Sequence, residues 1–65
     1  MGYVKKIKIT NSFTGEVVTT TEDKIRGVMS YVTMLSDALE LSEKTIHSLI
    51  TRLLKGETVE VSEII

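Results

Sequence analysis

Leu35-Ser36-Asp37-Ala38-Leu39-Glu40-Leu41-Ser42-Glu43-Lys44-Thr45-Ile46-His47-Ser48-Leu49-Ile50-Thr51-Arg52-Leu53-Leu54-Lys55-Gly56 decides the fold of this chain. It reads as the end of one helix, a tight break at Glu40-Leu41, and a second helix that starts on a serine cap and stops at a glycine. Ser42 has a side-chain oxygen to offer the free amides of a first turn, and Glu43 suits the positive end of the helix dipole. Lys55 followed by Gly56 fits a helix end. Between these limits Ile46, Leu49, Ile50 and Leu53 fall on one stripe, which leaves Lys44, His47, Ser48, Thr51, Arg52 and Lys55 on the other faces. The outline is that of a helix-turn-helix, and the polar residues of its second helix are the ones available to a ligand.

Working towards the N-terminus, the preceding helix is expected from about Glu22 to Leu39. Thr20 or Thr21 caps it, and Glu22 and Asp23 sit at its positive end. Ile25, Val28, Val32, Leu35 and Leu39 form its apolar stripe, and Met29, Tyr31, Met34 and Ala38 widen that stripe beyond what a surface helix needs. One face meets the rest of the chain; the other, carrying Met29, Tyr31 and Met34, is either a subunit interface or covered within the monomer. Gly27 inside the helix costs roughly 1 kcal/mol relative to Ala, which points to a close contact there.

Before this helix, Tyr3 to Thr10 alternates as a strand does, with Tyr3, Lys5, Ile7 and Ile9 on the inward face. Asn11-Ser12-Phe13-Thr14-Gly15 is a turn cluster, and Glu16 to Thr20 is β-branched and suited to a returning strand, so a β-hairpin is expected. Lys5, Lys6 and Lys8 are edge-strand charges that discourage sheet-to-sheet association, or phosphate contacts. Phe13 at the loop tip either folds back on the core or marks a contact surface. Beyond Gly56, Glu57 to Ile65 alternates enough to suggest a short final strand joining the hairpin as its third member. The fold class is therefore α+β, in the order ββααβ, within a single domain over residues 1–65.

The succession Ile9-Thr10-Asn11-Ser12-Phe13-Thr14-Gly15-Glu16-Val17, then Ala38-Leu39-Glu40-Leu41-Ser42-Glu43-Lys44-Thr45-Ile46, then Leu53-Leu54-Lys55-Gly56-Glu57-Thr58-Val59, resembles the nuclease-associated modular domains of phage and group I intron homing endonucleases, and their stand-alone phage relatives. That family pairs a hairpin carrying a Thr-Gly-Glu-like turn with a helix-turn-helix ending in a Leu-Lys-Gly-like stop. The resemblance implies DNA binding by the helix after Ser42. Carried over position by position, Ser42, Lys44, Thr45 and His47 fall where that helix begins. Apart from the resemblance, a helix laid in the major groove offers Lys44, His47, Thr51 and Arg52 to base edges and phosphates. The first helix is longer here than in the family, which suits subunit packing.

Composition bounds the alternatives. The chain has 65 residues, 42% hydrophobic and 26% charged, as in an ordinary globular domain. A core of this size is marginal, and without Cys neither a disulfide nor a cysteine zinc site can reinforce it. A homo-oligomer is expected, by preference a dimer. No metal or cofactor is expected. No apolar run approaches the roughly 20 residues that cross a bilayer, and the start lacks the apolar core of a signal peptide, so the cytoplasm is the expected compartment, that of the host cell if the chain is phage-encoded. Net charge is −1, with eight basic against nine acidic residues, so binding to nucleic acid must come from a local patch. An enzyme is not expected: pairing His47, the single imidazole, with Ser42 or Ser48 also needs an orienting carboxylate and an oxyanion site. The rival to DNA binding is a small oligomeric protein-binding module that inhibits or redirects a host enzyme, for which Phe13, Met29, Tyr31 and Met34 supply adaptable apolar contacts.

Overall fold

The computed structural model describes residues 5–64. Strands β1 (Lys6–Thr10) and β2 (Val17–Thr21) form an antiparallel hairpin, followed by helices α1 (Glu22–Ala38) and α2 (Glu43–Leu54) and a single helical turn, α3 (Val61–Ile64). The architecture is α+β, with the hairpin laid against the helix pair. The first two residues of the strand expected from Tyr3 lie outside the described residues.

The hairpin register pairs Ile7 with Thr20 and Ile9 with Val18, which sets these four on one face. Val18 and Thr20 are buried and the two isoleucines half-buried, so this face meets the helices; Lys6 and Lys8 leave the sheet on the opposite side. The connecting loop closes around Asn11. Its backbone N–H donates to the Glu16 carbonyl at 2.8 Å and its carbonyl accepts from Gly15 N–H at 2.7 Å. Its side-chain Oδ1 accepts from the N–H groups of Phe13 at 2.9 Å and Thr14 at 3.3 Å. Gly15 takes a φ of 79°, open to a residue without Cβ.

Thr21 caps α1 by accepting from Lys24 N–H. The helix ends at Leu39, which turns extended, and four residues, Leu39 to Ser42, carry the chain into α2. Ser42 Oγ accepts from Thr45 N–H at 3.2 Å. At the far end Glu57 N–H reaches the Arg52 carbonyl and Gly56 N–H the Leu53 carbonyl, the paired closure of a Schellman stop, with Gly56 at a φ of 94°. These caps stand where the sequence places them.

The core lies between α1, α2 and the C-terminal segment: Val32 and Leu35 from α1, Leu49 from α2, and Val59. Val28, Tyr31, Leu41, Ile46, Ile50, Leu53 and Ile64 pack around it. Burying an aliphatic side chain is worth about 1.5–3 kcal/mol, so these few residues carry most of the fold. Tyr31, expected on an outer interface, is half-buried against this core.

Two further expectations are corrected. The sheet has two strands; residues 57–64 add no third. A strand would set Val59 and Val61 on the same side, but Val59 is 8% exposed and Val61 41%. Val59 is drawn into the helical core, and Glu63 then closes a turn by accepting from Glu60 N–H at 2.8 Å. Local side-chain capture of a backbone donor outcompetes ladder formation here. Gly27 has no close contact to explain it: a Cβ there meets open space.

Candidate functional site

Ile46 and Leu49 seat α2 on α1, which turns Glu43, Lys44 and Ser48 to solvent along its first two turns. Ser42 is exposed, but its hydroxyl serves the helix itself: it accepts from Thr45 N–H and donates to Thr45 Oγ1 at 2.9 Å. Lys44 makes no ion pair with any described residue. A hollow of about 310 Å³ runs beside this ridge, walled by Lys44, Thr45, Ser48 and Arg52 on one side and by Val59 and Glu63 on the other.

Arg52 lies at the end of that hollow, clasped from two sides. Its Nε donates to Glu57 Oε1 at 3.2 Å and a terminal guanidinium nitrogen donates to Glu63 Oε1 at 3.4 Å. The hydrogen bond to Glu57, with that to Glu63 and both carboxylate charges behind it, raises the Arg52 pKa further above its ordinary value. Glu63 is held below its ordinary carboxylate value, first by the Glu60 N–H and then by Arg52. At the end of α2, Lys55 pairs with Glu16 at the start of β2, and this hydrogen-bonded pair raises its pKa. On α1, Arg26 pairs with Glu22 at 3.1 Å and Asp23 at 3.7 Å. Each of these three cations therefore already has an acidic neighbour.

Thr51, placed by sequence among the candidate DNA contacts, is turned inward and 6% exposed. Its hydroxyl donates to the His47 carbonyl at 2.9 Å and accepts from Asn11 Nδ2 at 3.0 Å; Asn11 Nδ2 also reaches the His47 carbonyl at 3.4 Å. Asn11 is 4% exposed, and this node fastens the hairpin loop to α2. The His47 ring is half-buried and meets Phe13 edge-on, with centroids 5.0 Å apart and planes at 66°. Phe13 thus folds back on α2 and remains 49% exposed. A second, apolar hollow of about 150 Å³ opens between Ile9, Ile25, Met29, Ile50 and Leu54.

The structure thus gathers Ser42, Lys44, Thr45 and Arg52 along one ridge of α2 and removes Thr51 from it. Lys6 and Lys8 project from the hairpin face opposite the helices, and Lys5 is exposed beside them. Sequence spacing gave no sign of the roles of Asn11, Glu16, Glu57 and Glu63, because each acts through the tertiary fold. Among the described residues no three His, Asp or Glu side chains gather as a metal site, and no helix is long and apolar enough to cross a membrane. No protein-family model, no curated protein and no solved structure matches the chain.

Proposed function

We propose that this chain is a small DNA-binding module of helix-turn-helix type, laying the first two turns of α2 against a duplex. The observation that carries the reading is the exposed polar ridge of Lys44 and Ser48, held rigidly by Ile46 and Leu49 beneath it and entered through the short turn to Ser42. A helix so presented fits the major groove, with Lys44 directed at a phosphate or a guanine edge and the hydroxyl of Ser48 at either. The resemblance to nuclease-associated modular domains supports the same reading. The small number of unpaired cations implies weak binding with a shallow salt dependence, a slope of about 0.9 per phosphate contacted, and Kd of order 10⁻⁴ to 10⁻⁶ M for mixed sequence at physiological salt.

Fluorescence anisotropy with a labelled mixed-sequence duplex tests this. Binding at low salt that weakens as salt rises, together with a slope shallower by about one in Lys44→Ala, supports the proposal. Absence of binding at low salt overturns it. The acidic partners of Arg26, Arg52 and Lys55, set beside exposed Phe13 and Met34, favour the second reading, a protein-binding module; that reading is supported by the same null result together with a stoichiometric protein partner retained after nuclease treatment.

A further inference from the structure

We infer that the hairpin loop is a second contact element for the duplex, with Phe13 packed on the deoxyribose-phosphate backbone that borders the groove α2 enters. This rests on the reading of α2 as the DNA-facing helix. The Asn11 latch holds the loop against α2 through the Thr51 hydroxyl and the His47 carbonyl, so Ser12, Phe13 and Thr14 stand beside that helix. All three are exposed. The Phe13 ring meets the His47 ring edge-on at 5.0 Å, which fixes its orientation, and still leaves 49% of the residue open. His47 follows Lys44 by three positions and Ser48 follows it by four, spacings that make both of them neighbours of Lys44 on the helix surface. Phe13, His47, Lys44 and Ser48 therefore form one continuous strip, with the aromatic ring at its border.

The chemistry of this strip selects its occupant. Residues 11–15 carry no charge, and the acid that follows them, Glu16, is taken up by Lys55. The single acid of α2, Glu43, stands at its first position, one turn ahead of His47, and from Lys44 to Leu54 the helix has none. Lys44 is exposed and Ser12, Thr14 and Ser48 add hydroxyls; that of Thr14 accepts from Glu16 N–H at 3.2 Å and keeps its own proton to donate. Three hydroxyls and a lysine around one aromatic ring are a poor match to the core of a protein interface, which is depleted in Lys and Ser. They match a nucleic-acid backbone, where phosphates accept from lysine and hydroxyl groups and the sugars between them offer apolar C–H surface. The loop so placed adds affinity and fixes the register of α2 without reading bases.

A tryptophan reporter tests the inference, because the chain has no Trp of its own. On titration of Phe13→Trp with the mixed-sequence duplex, its emission should quench or shift with the same midpoint as the anisotropy. Phe13→Ala should raise the dissociation constant about fivefold, the effect of withdrawing roughly half an aromatic ring from contact, and should leave the salt slope unchanged because no cation is lost. Lys44→Ala, by contrast, lowers that slope by about one. Circular dichroism at the titration temperature identifies any variant that fails to fold, and a ring that merely supports the loop gives no emission change on binding. Duplex binding with silent Phe13→Trp emission, or with Phe13→Ala equal to the unmodified chain, overturns the inference while α2 stands as the contact. No binding by the unmodified chain at low salt overturns both. A protein partner retained after nuclease treatment and lost in Phe13→Ala, with duplex binding unaffected, assigns the loop to that partner and overturns the inference as well.

Discussion

Asn11→Ala should unfasten the hairpin from α2, and the size of the effect follows from the bonds it removes. The side chain makes four: Nδ2 to Thr51 Oγ1 at 3.0 Å and to the His47 carbonyl at 3.4 Å, and Oδ1 from the N–H groups of Phe13 at 2.9 Å and Thr14 at 3.3 Å. A hydrogen bond is worth about 1 kcal/mol net, and the two long ones less. The Thr51 hydroxyl keeps its bond to the His47 carbonyl, and the Phe13 and Thr14 amides lie in an exposed loop where water replaces the lost acceptor. The loss is therefore about 2–3 kcal/mol, without the further penalty of a stranded buried group. At about 4–8 °C per kcal/mol for a domain of this size, the melting temperature should fall by roughly 10–20 °C, read by circular dichroism. Thr51→Val removes the bond shared with Asn11 and the hydroxyl's own bond to the His47 carbonyl and should cost about 1–2 kcal/mol, and the double variant should lose less than the sum, since both substitutions delete the Asn11–Thr51 bond. A shift below about 3 °C for Asn11→Ala, or strict additivity with Thr51→Val, would refute the latch.

Other outcomes follow from the same geometry. Thr20 Oγ1 is enclosed without a hydrogen-bond partner among the described residues, so Thr20→Val should stabilise the fold by about 1 kcal/mol, read as an upward shift in urea midpoint. Replacing Glu57 and Glu63 by Gln frees Arg52 and should tighten DNA binding at low salt while steepening its salt slope by about one; unchanged titrations would separate Arg52 from the contact surface. Glu63 has a lowered folded pKa, so its stabilisation is present above the ordinary carboxylate pKa and is lost as pH falls through the lowered value. The side-chain resonances of Glu63 should thus titrate at lower pH than an unpaired glutamate, and Arg52→Ala should move that titration upward.

Much of this fold is written locally. Thr21, Ser42 and Gly56 mark helix ends because their chemistry acts within a few residues, and the stripes Val28-Val32-Leu35 and Ile46-Leu49-Leu53 follow from the helical repeat. What could not be read depends on partners far along the chain. Alternation over residues 57–64 carries the strand signal, yet it cannot register that Val59 belongs to the core of α1 and α2 or that Arg52 waits eleven residues upstream of Glu63. Thr51 reads as a ligand-face residue from helical spacing alone for the same reason: its polarity is satisfied by Asn11, forty residues away. The ridge of Lys44 was legible and its loss of help from Arg52 and Lys55 was not, because pairing with Glu57, Glu63 and Glu16 follows no helical spacing.

A two-stranded ribbon has little independent stability, and here its loop is joined to α2 by the Asn11 amide latch, with the Phe13–His47 edge contact and the Glu16–Lys55 pair beside it. The helices and their junction involve neighbours in sequence and can assemble early, whereas the latch must wait for loop closure across most of the chain. Residues 6–21 therefore make up a separately opening unit, whose amide hydrogens should exchange with solvent ahead of those in the middle of α2.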